Sequence, residues 1–385
     1  MKIIQIMDTL GANGGVNTFV FDLCEALKSN GHDVALVGIL SKGMDSNPEI
    51  ERLRKLNIRI ECVGALSKKD AILHHVGDLK RIIKSIVGEE DTVCNLHLKL
   101  GVLMGVLASM GEKNIRCVET YHNTYHHYHL QCWCCIPFIK KYICVSSEAK
   151  REMKRRFFIP DTRMVAIPNG VTREKIRCVS GIDNLRMDEG RTSIVSVGRM
   201  SYEKNFMTAV KALVSICSDK VQYTLVGGGP QEVEIRMIAE TNNNVKMLGV
   251  QSRTRTLQEL AKADIVVMPS LWEGRSILQL EAMALDKPMI ISDVPGLREP
   301  FSEPPLSSRE QMRVCKFGYL VQTNNEDAYR KAVEHFIQNK NSKYRISDYV
   351  RKISLENDLT EMAEHYYREY VKVVNIFSEE KKNDY

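Results

Sequence analysis

Short apolar runs alternate with longer amphipathic stretches along this chain, and the alternation occurs twice. In the first half, residues 3–7, 33–38, 59–63, 92–96, 116–120, 142–145 and 164–167 read as strands. The second half repeats the theme at 193–197, 222–226, 245–248, 265–268, 289–291 and 318–321. Parallel neighbours need a crossover long enough to hold a helix, so strand runs spaced in this way predict parallel α/β domains. Residues 172–189 are polar and weakly periodic and read as a linker, giving domains at 1–172 and 185–354. The last helical stretch, about 355–377, carries Met362, Tyr366, Tyr370, Val371 and Val374 at helical spacing, and the charged tail 378–385 is expected to fray.

Length and composition agree with two folded domains. A chain of 385 residues exceeds one ordinary core, and 44% hydrophobic with 26% charged residues is a globular balance. The net charge of +6 is unevenly spread. Lys140, Lys141, Lys150, Arg151, Lys154, Arg155, Arg156 and Arg163 lie in one stretch with Phe157, Phe158 and Ile159, which fits peripheral contact with an anionic membrane. No recognised motif accompanies the charge, so nucleic acid is not expected as a partner. No apolar run reaches the roughly 18 residues of a spanning helix. Eleven cysteines without regular spacing, and no secretory leader before the first strand, point to a reducing cytoplasmic setting. The run from Thr120 to Cys135 offers His122, His126, His127, His129, Cys132, Cys134 and Cys135, but it lacks the paired spacing of zinc sites, and no metal or other cofactor is expected.

The densest chemistry lies between Pro269 and Ala284, where Glu273 and Glu281 flank a strand-to-helix turn with seven residues between them. Ligands bind at the carboxyl ends of strands in open α/β sheets. Gly274 lets backbone N–H groups and a helix N-terminus approach a phosphate or sugar hydroxyl, and the carboxylates add acceptors for hydroxyls. Gly198, Arg199 and Lys204 follow another apolar strand, where cations suit a diphosphate. The glycine turns Gly14-Gly15 and Gly227-Gly228-Gly229 follow strands in the same way. Neither completes G-x-G-x-x-G, which disfavours a dinucleotide-dependent oxidoreductase.

Taken with Pro168-Asn169-Gly170-Val171, the whole set resembles the retaining glycosyltransferases of family 4, of the GT-B fold. The resemblance implies two Rossmann-like parallel-sheet domains facing a central cleft, with the final helix packed back on the N-terminal domain. It implies Arg199 and Lys204 on the donor diphosphate, Glu273 near the donor sugar ring, Glu281 on the ribose, and Gly14 and Gly15 facing the diphosphate. Asn169, Gly198, Gly274, Ser276 and Ile277 complete the donor set. His122, after the strand ending at Tyr121, matches the histidine that touches the transferred sugar, and His97 is a looser match. Many members have Glu-Gly-Phe-Gly where this chain has Glu273-Gly274-Arg275-Ser276, so Arg275 is expected to add a charge to the sugar or phosphate pocket. The longer loop 300–308 is a second departure. The implied reaction moves a hexose-type sugar from a nucleoside diphosphate sugar, with UDP favoured, to a saccharide or lipid-linked glycan, with closure of the two domains excluding water. A GT-B epimerase or phosphorylase and a non-catalytic relative are the alternatives.

Overall fold

The computed structural model of the protein describes residues 1–11, 14–41, 47–122, 130–182, 190–216, 220–339 and 343–383. The chain forms two compact units, Met1–Gly170 with Leu359–Tyr385, and Val171–Asp358.

The first unit runs β1 (Lys2–Thr9), α1 (Gly15–Ser29), β2 (Asp33–Leu40), α2 (Pro48–Lys55), β3 (Arg59–Ala65), α3 (Lys68–His74), α4 (Val76–Val87), β4 (Thr92–His97), α5 (Leu98–Ser109), β5 (Ile115–Tyr121), α6 (Leu130–Cys135), β6 (Ile139–Cys144), α7 (Ser147–Phe157) and β7 (Met164–Ala166). Its sheet has the order β3-β2-β1-β4-β5-β6-β7, all parallel. β4 and β5 are buried along their whole length, as strands covered on both faces are, and they bury polar residues such as Asn95, His97 and Thr120 among their apolar ones.

The second unit runs α8 (Arg173–Ser180), β8 (Thr192–Val197), α9 (Phe206–Val214), β9 (Val221–Val226), α10 (Glu232–Ala239), β10 (Val245–Met247), α11 (Arg253–Lys262), β11 (Ile265–Met268), α12 (Ile277–Ala284), β12 (Met289–Ser292), α13 (Pro295–Arg298), β13 (Met312–Cys315), β14 (Gly318–Val321), α14 (Glu326–Gln338) and α15 (Lys343–Leu355). Its sheet order is β10-β9-β8-β11-β12-β14-β13. The last pair is antiparallel, with Arg313 opposite Leu320. The entirely parallel pattern read from the sequence is corrected here: β13 is a half-exposed edge strand that follows the loop 300–308 and turns back through Lys316 and Phe317.

Two further corrections concern the polar segment and the final helix. Residues 172–189 were expected as a linker, yet Arg173–Ser180 form α8, which buries Ile176 and Ser180. Arg173 donates to the Ala284 carbonyl at 2.7 Å, at the C-terminal end of α12, and pairs with Asp286 at 2.8 Å, while Arg177 pairs with Asp286 at 3.0 Å. Cations at a helix C-terminus answer its unpaired carbonyls, so arginines that look like linker residues dock this helix. Residues 183–189 of that segment lie outside the described residues. The final helical stretch, read as starting near 355, starts after a break at 356–358. α15 ends at Leu355, the Asn357 carbonyl accepts from the Val171 N–H, Asp358 forms a parallel bridge with Val171, and α16 (Leu359–Asn383) begins. α16 belongs to the first unit, burying Leu359, Met362, Ala363, Tyr366, Tyr370 and Val373. Val373, not Val371 or Val374, lies on the buried face. The segment 378–383, expected to fray, continues this helix, and residues 384–385 are outside the description.

Candidate functional site

In the first unit the strand order reverses between β1 and β4, and candidates sit at the ends of these strands and of β5. After β1, Gly14 caps α1 and its carbonyl accepts from the Thr18 N–H, placing Gly15 in the first turn. Residues 12–13 of this loop lie outside the described residues. His97 ends β4 and is fully buried. His122 follows β5, half-buried, with its Nε2 2.9 Å from His97 Nδ1 and its ring edge-on to Phe19 of α1 at 4.9 Å. Burial pushes His122 down to about 3 and His97 well below its usual range, so both rings are neutral at physiological pH. Asn169 is buried beyond β7. Asp8, at the end of β1, caps α5 by accepting from the Gly101 N–H at 2.9 Å.

In the second unit the order reverses between β8 and β11, and this switch point gathers the other candidates. The turn after β8 is laced to the glycine turn after β9: Gly198 N–H donates to the Val226 carbonyl, Met200 N–H to that of Gly228, and Gln231 N–H to that of Met200, each at 2.9 Å. The approach requires glycine, because a Cβ on Gly227 would lie 1.9 Å from the Gly198 carbonyl oxygen. From the fixed turn Arg199 projects exposed, with no side-chain partner among the described residues. Lys204 is half-buried and donates to Glu273 Oε1, which also accepts from Ser270 Oγ at 2.8 Å. The two loops are also tied by the Leu271 N–H to the Glu203 carbonyl at 2.8 Å and by Asn205 Nδ2 to the Pro269 carbonyl at 3.1 Å.

The helix α12 opens at this point. Ser276 caps it by accepting from the Gln279 N–H, and Ile277 is its buried first residue. Glu281, one turn in and 7% exposed, pairs with Arg253 of α11 at 3.3 Å. Gly274 is buried in the turn between. Gly296 lets the chain cross beneath, since a Cβ there would meet the Glu273 carbonyl oxygen at 2.1 Å. Arg275 was expected to charge the sugar or phosphate pocket. Its guanidinium instead donates to Asn357 Oδ1, and burial, 8% exposed, brings it down to about 10. The contact found anchors the loop to the segment between α15 and α16.

The structure thus brings Arg199, Lys204, Glu273 and Glu281 around one switch point and His97 with His122 around the other. Ser270, Arg253 and Asn205 were not singled out from the sequence. A serine three residues before Glu273 is an ordinary turn signal, and Arg253 meets Glu281 only through tertiary packing. Among the eight cations between Lys140 and Arg163, seven are engaged. Lys141 pairs with Glu369, Lys150 and Lys154 with Asp161, Arg151 with Glu148, Arg155 and Arg156 with Glu152, while Arg163 donates to backbone carbonyls. Phe157 and Ile159 are core, whereas Trp133, Phe138 and Phe158 are exposed. No helix among the described residues is long and apolar enough to cross a membrane. His126, His127 and His129 lie outside the described residues, as does the Cys132 side chain, and among the described residues no cluster of three His, Cys, Asp or Glu could hold a metal.

Comparisons with known proteins identify the family. Residues 182–353 match the model for glycosyl transferases group 1, and residues 13–175 match glycosyltransferase family 4. An α-1,3-galactosyltransferase of Escherichia coli, named for UDP-Gal and α-D-GlcNAc-diphosphoundecaprenol, is 30% identical over 166 residues, 40% of this chain and 43% of that enzyme. The chain thus matches less than half of that relative's length. An uncharacterized glycosyltransferase of Methanocaldococcus jannaschii is 27% identical over 331 residues, 74% of this chain and 78% of its own. Anabaena HepE, solved in complex with UDP and glucose, superposes with a TM-score of 0.75 at 16% identity, covering 97% of this chain and all of its own. With both family models matched in order, and two Rossmann-like sheets like those of its structural neighbours, the chain belongs to the group 1, family 4 type glycosyltransferases of the GT-B fold.

Proposed function

We propose that the protein is a retaining glycosyltransferase. It moves a hexose-type sugar from a nucleoside diphosphate sugar, UDP-sugar favoured, to a hydroxyl of a saccharide or lipid-linked glycan in surface polysaccharide synthesis. The observation that carries this reading is the cation pair at the β8–β11 switch point: exposed Arg199 beside Lys204, which is held by Glu273 and Ser270. An arginine on a fixed turn and a lysine held by an acid suit a diphosphate, and they act most strongly on the charge that grows as it departs. Glu281, oriented by Arg253, takes the ribose hydroxyls, and the N-terminus of α12 with Gly274, Ser276 and Ile277 supplies donors for phosphate oxygens. In the second unit Glu273 is a sugar contact and Gly198 a donor-binding residue, and in the first unit His122 is a sugar contact and Gly14, Gly15 and Asn169 are donor-binding residues.

In this reading the acceptor oxygen forms its bond to the anomeric carbon on the face from which the diphosphate leaves, and a departing phosphate oxygen takes the acceptor proton. The protein supplies position and charge. Arg199 and Lys204 provide the charge a divalent cation would otherwise bring, and the sequence has no Asp-x-Asp pair, so turnover is expected to survive chelation. The names of the E. coli relative and of the HepE complex support a UDP-sugar donor, and that relative's acceptor supports a lipid-linked one. Exposed Trp133, Phe138 and Phe158, in the same stretch of sequence as exposed Lys140, support peripheral contact with the membrane that would carry such an acceptor.

The test is incubation of the protein with UDP-glucose, UDP-galactose and UDP-N-acetylglucosamine against a diphosphoundecaprenol-linked saccharide, with and without a chelator. An α-linked product from the α-linked donor is expected. A β-linked product overturns retention, and sugar release or epimerisation without an acceptor product favours the epimerase or phosphorylase alternative.

A further inference from the structure

The polar network behind His122 determines which imidazole nitrogen that residue leaves for a ligand. Gln5, Asn95, Thr120 and Tyr370 are buried around His97, and none carries a charge. Thr120 Oγ1 donates to Asn95 Oδ1 at 3.0 Å, and the amide nitrogen donates to Tyr370 Oη at 2.8 Å and Gln5 Oε1 at 2.9 Å. Asn95 Nδ2 also lies 3.3 Å from His97 Nε2, but its two hydrogens are taken by the shorter contacts. Gln5 then presents the same carbonyl oxygen to His97 Nε2 at 2.7 Å. An amide oxygen only accepts, so the proton sits on His97 Nε2. Burial keeps the ring neutral with a single N–H, which makes His97 Nδ1 an acceptor. His122 Nε2, 2.9 Å away, is therefore the donor, and His122 Nδ1 carries a lone pair on a half-buried ring with no hydrogen-bond partner among the described residues.

We propose that His97, backed by Gln5, is a positioning residue that fixes His122 as the Nε2–H tautomer, so that His122 offers a hydrogen-bond acceptor to a hydroxyl of the transferred sugar. The sugar half of this inference rests on the reading of His122 as a sugar contact, whereas the tautomer follows from the network. The arrangement selects for a hydroxyl hydrogen and against a carbonyl or anionic oxygen at that point, since two lone pairs repel. No proton is transferred: the histidine pair sets direction, as an outer hydrogen bond does for a metal-bound imidazole.

The experiment uses the full chain with 15N-labelled histidine. A long-range 1H–15N correlation spectrum is expected to show a pyridine-type Nδ1 and a pyrrole-type Nε2 for both His97 and His122, and the opposite tautomer of His122 overturns the proposal. Kinetics and binding then test its use. His97→Leu removes the acceptor and is expected to lower kcat/KM for UDP-glucose about three- to tenfold, the scale of one neutral hydrogen bond, while the Kd for UDP alone is unchanged. His97→Asn, whose side-chain oxygen takes the place of Nδ1, keeps an acceptor for His122 Nε2 and is expected to retain kcat/KM. It also provides the comparison should His97→Leu fail to fold. A correct tautomer with no selective loss for UDP-glucose over UDP in His97→Leu overturns the role in sugar recognition. If the unsubstituted protein binds neither UDP nor UDP-glucose, the donor reading and the sugar half fall together, and the spectrum still decides the tautomer.

Discussion

Glu281 and His97 are the two side chains whose surroundings most constrain what they can do. Glu281 is buried against Arg253 on the second turn of α12, beyond the loop that holds Glu273, and the proposed reading puts it on the ribose. Glu281→Ala is therefore expected to raise the Kd for nucleotide about tenfold or more, through loss of charge-assisted hydrogen bonds of about 1.5–3 kcal/mol, with kcat changed less. Steady-state kinetics with direct nucleotide binding checks this, and a fall in kcat at unchanged affinity removes Glu281 from the ribose. His97 is neutral in the folded protein because burial pushes its pKa well below the usual value, while the unfolded chain takes up a proton near about pH 6.5. Below that pH the unfolded state binds more protons, so stability falls as pH drops, by up to about 1.4 kcal/mol per pH unit for this one group. The melting temperature is expected to fall less in His97→Gln than in the unsubstituted protein between about pH 7 and about pH 5, and equal slopes would contradict a neutral buried His97. At this scale the sequence carried the named cations and carboxylates, because motif spacing is local. It did not carry Arg253 or Asn357, whose partners come from other segments and depend on packing.

The elements that build the site are the ones a sequence discloses most readily. β8 and β11 are central parallel strands, their burial turns them into apolar runs, and the turns after them hold the glycines and charges. β13 escaped notice because Met312–Cys315 is a half-exposed edge strand, and α8 because Ile176 is its only large buried apolar side chain. The start of α16 is set by a backbone pairing of Asp358 with Val171, which leaves no mark on helical periodicity. The turn that presents Glu273 depends on Gly296, whose added Cβ would strike backbone and not a side chain able to move aside. Gly296→Ala is expected to cost about 1–3 kcal/mol of stability and to lower kcat by displacing Glu273. Gly77→Ala, in a helix with nothing within 4 Å of the new Cβ, is the control and is expected to be neutral or slightly stabilising. Denaturant midpoints and kcat for both variants decide it, and equal behaviour of the two would contradict the close approach.

At the scale of the whole molecule, the repeat of one architecture was legible as two sets of strand runs, and the return of α16 to the first unit was implied by family resemblance. The distribution of charge was less legible. The basic stretch from Lys140 to Arg163 reads as a cationic face, yet most of its cations are paired at helical spacing or with Asp161, so composition overstated the free charge. The cations of the second unit differ in kind: Arg199 is exposed on a turn fixed by backbone hydrogen bonds, and Lys204 is held by an acid at a sheet's switch point. The account stands on that pair binding a diphosphate and stabilising its departure. The most direct measurement is to compare Lys204→Ala with the unsubstituted protein, by calorimetric titration of UDP and by the rate of sugar transfer from UDP-glucose or UDP-galactose. The account predicts weaker UDP binding and a rate lower by about 100- to 1,000-fold, equivalent to about 2.7–4 kcal/mol in the transition state. Unchanged affinity together with an unchanged rate would contradict it.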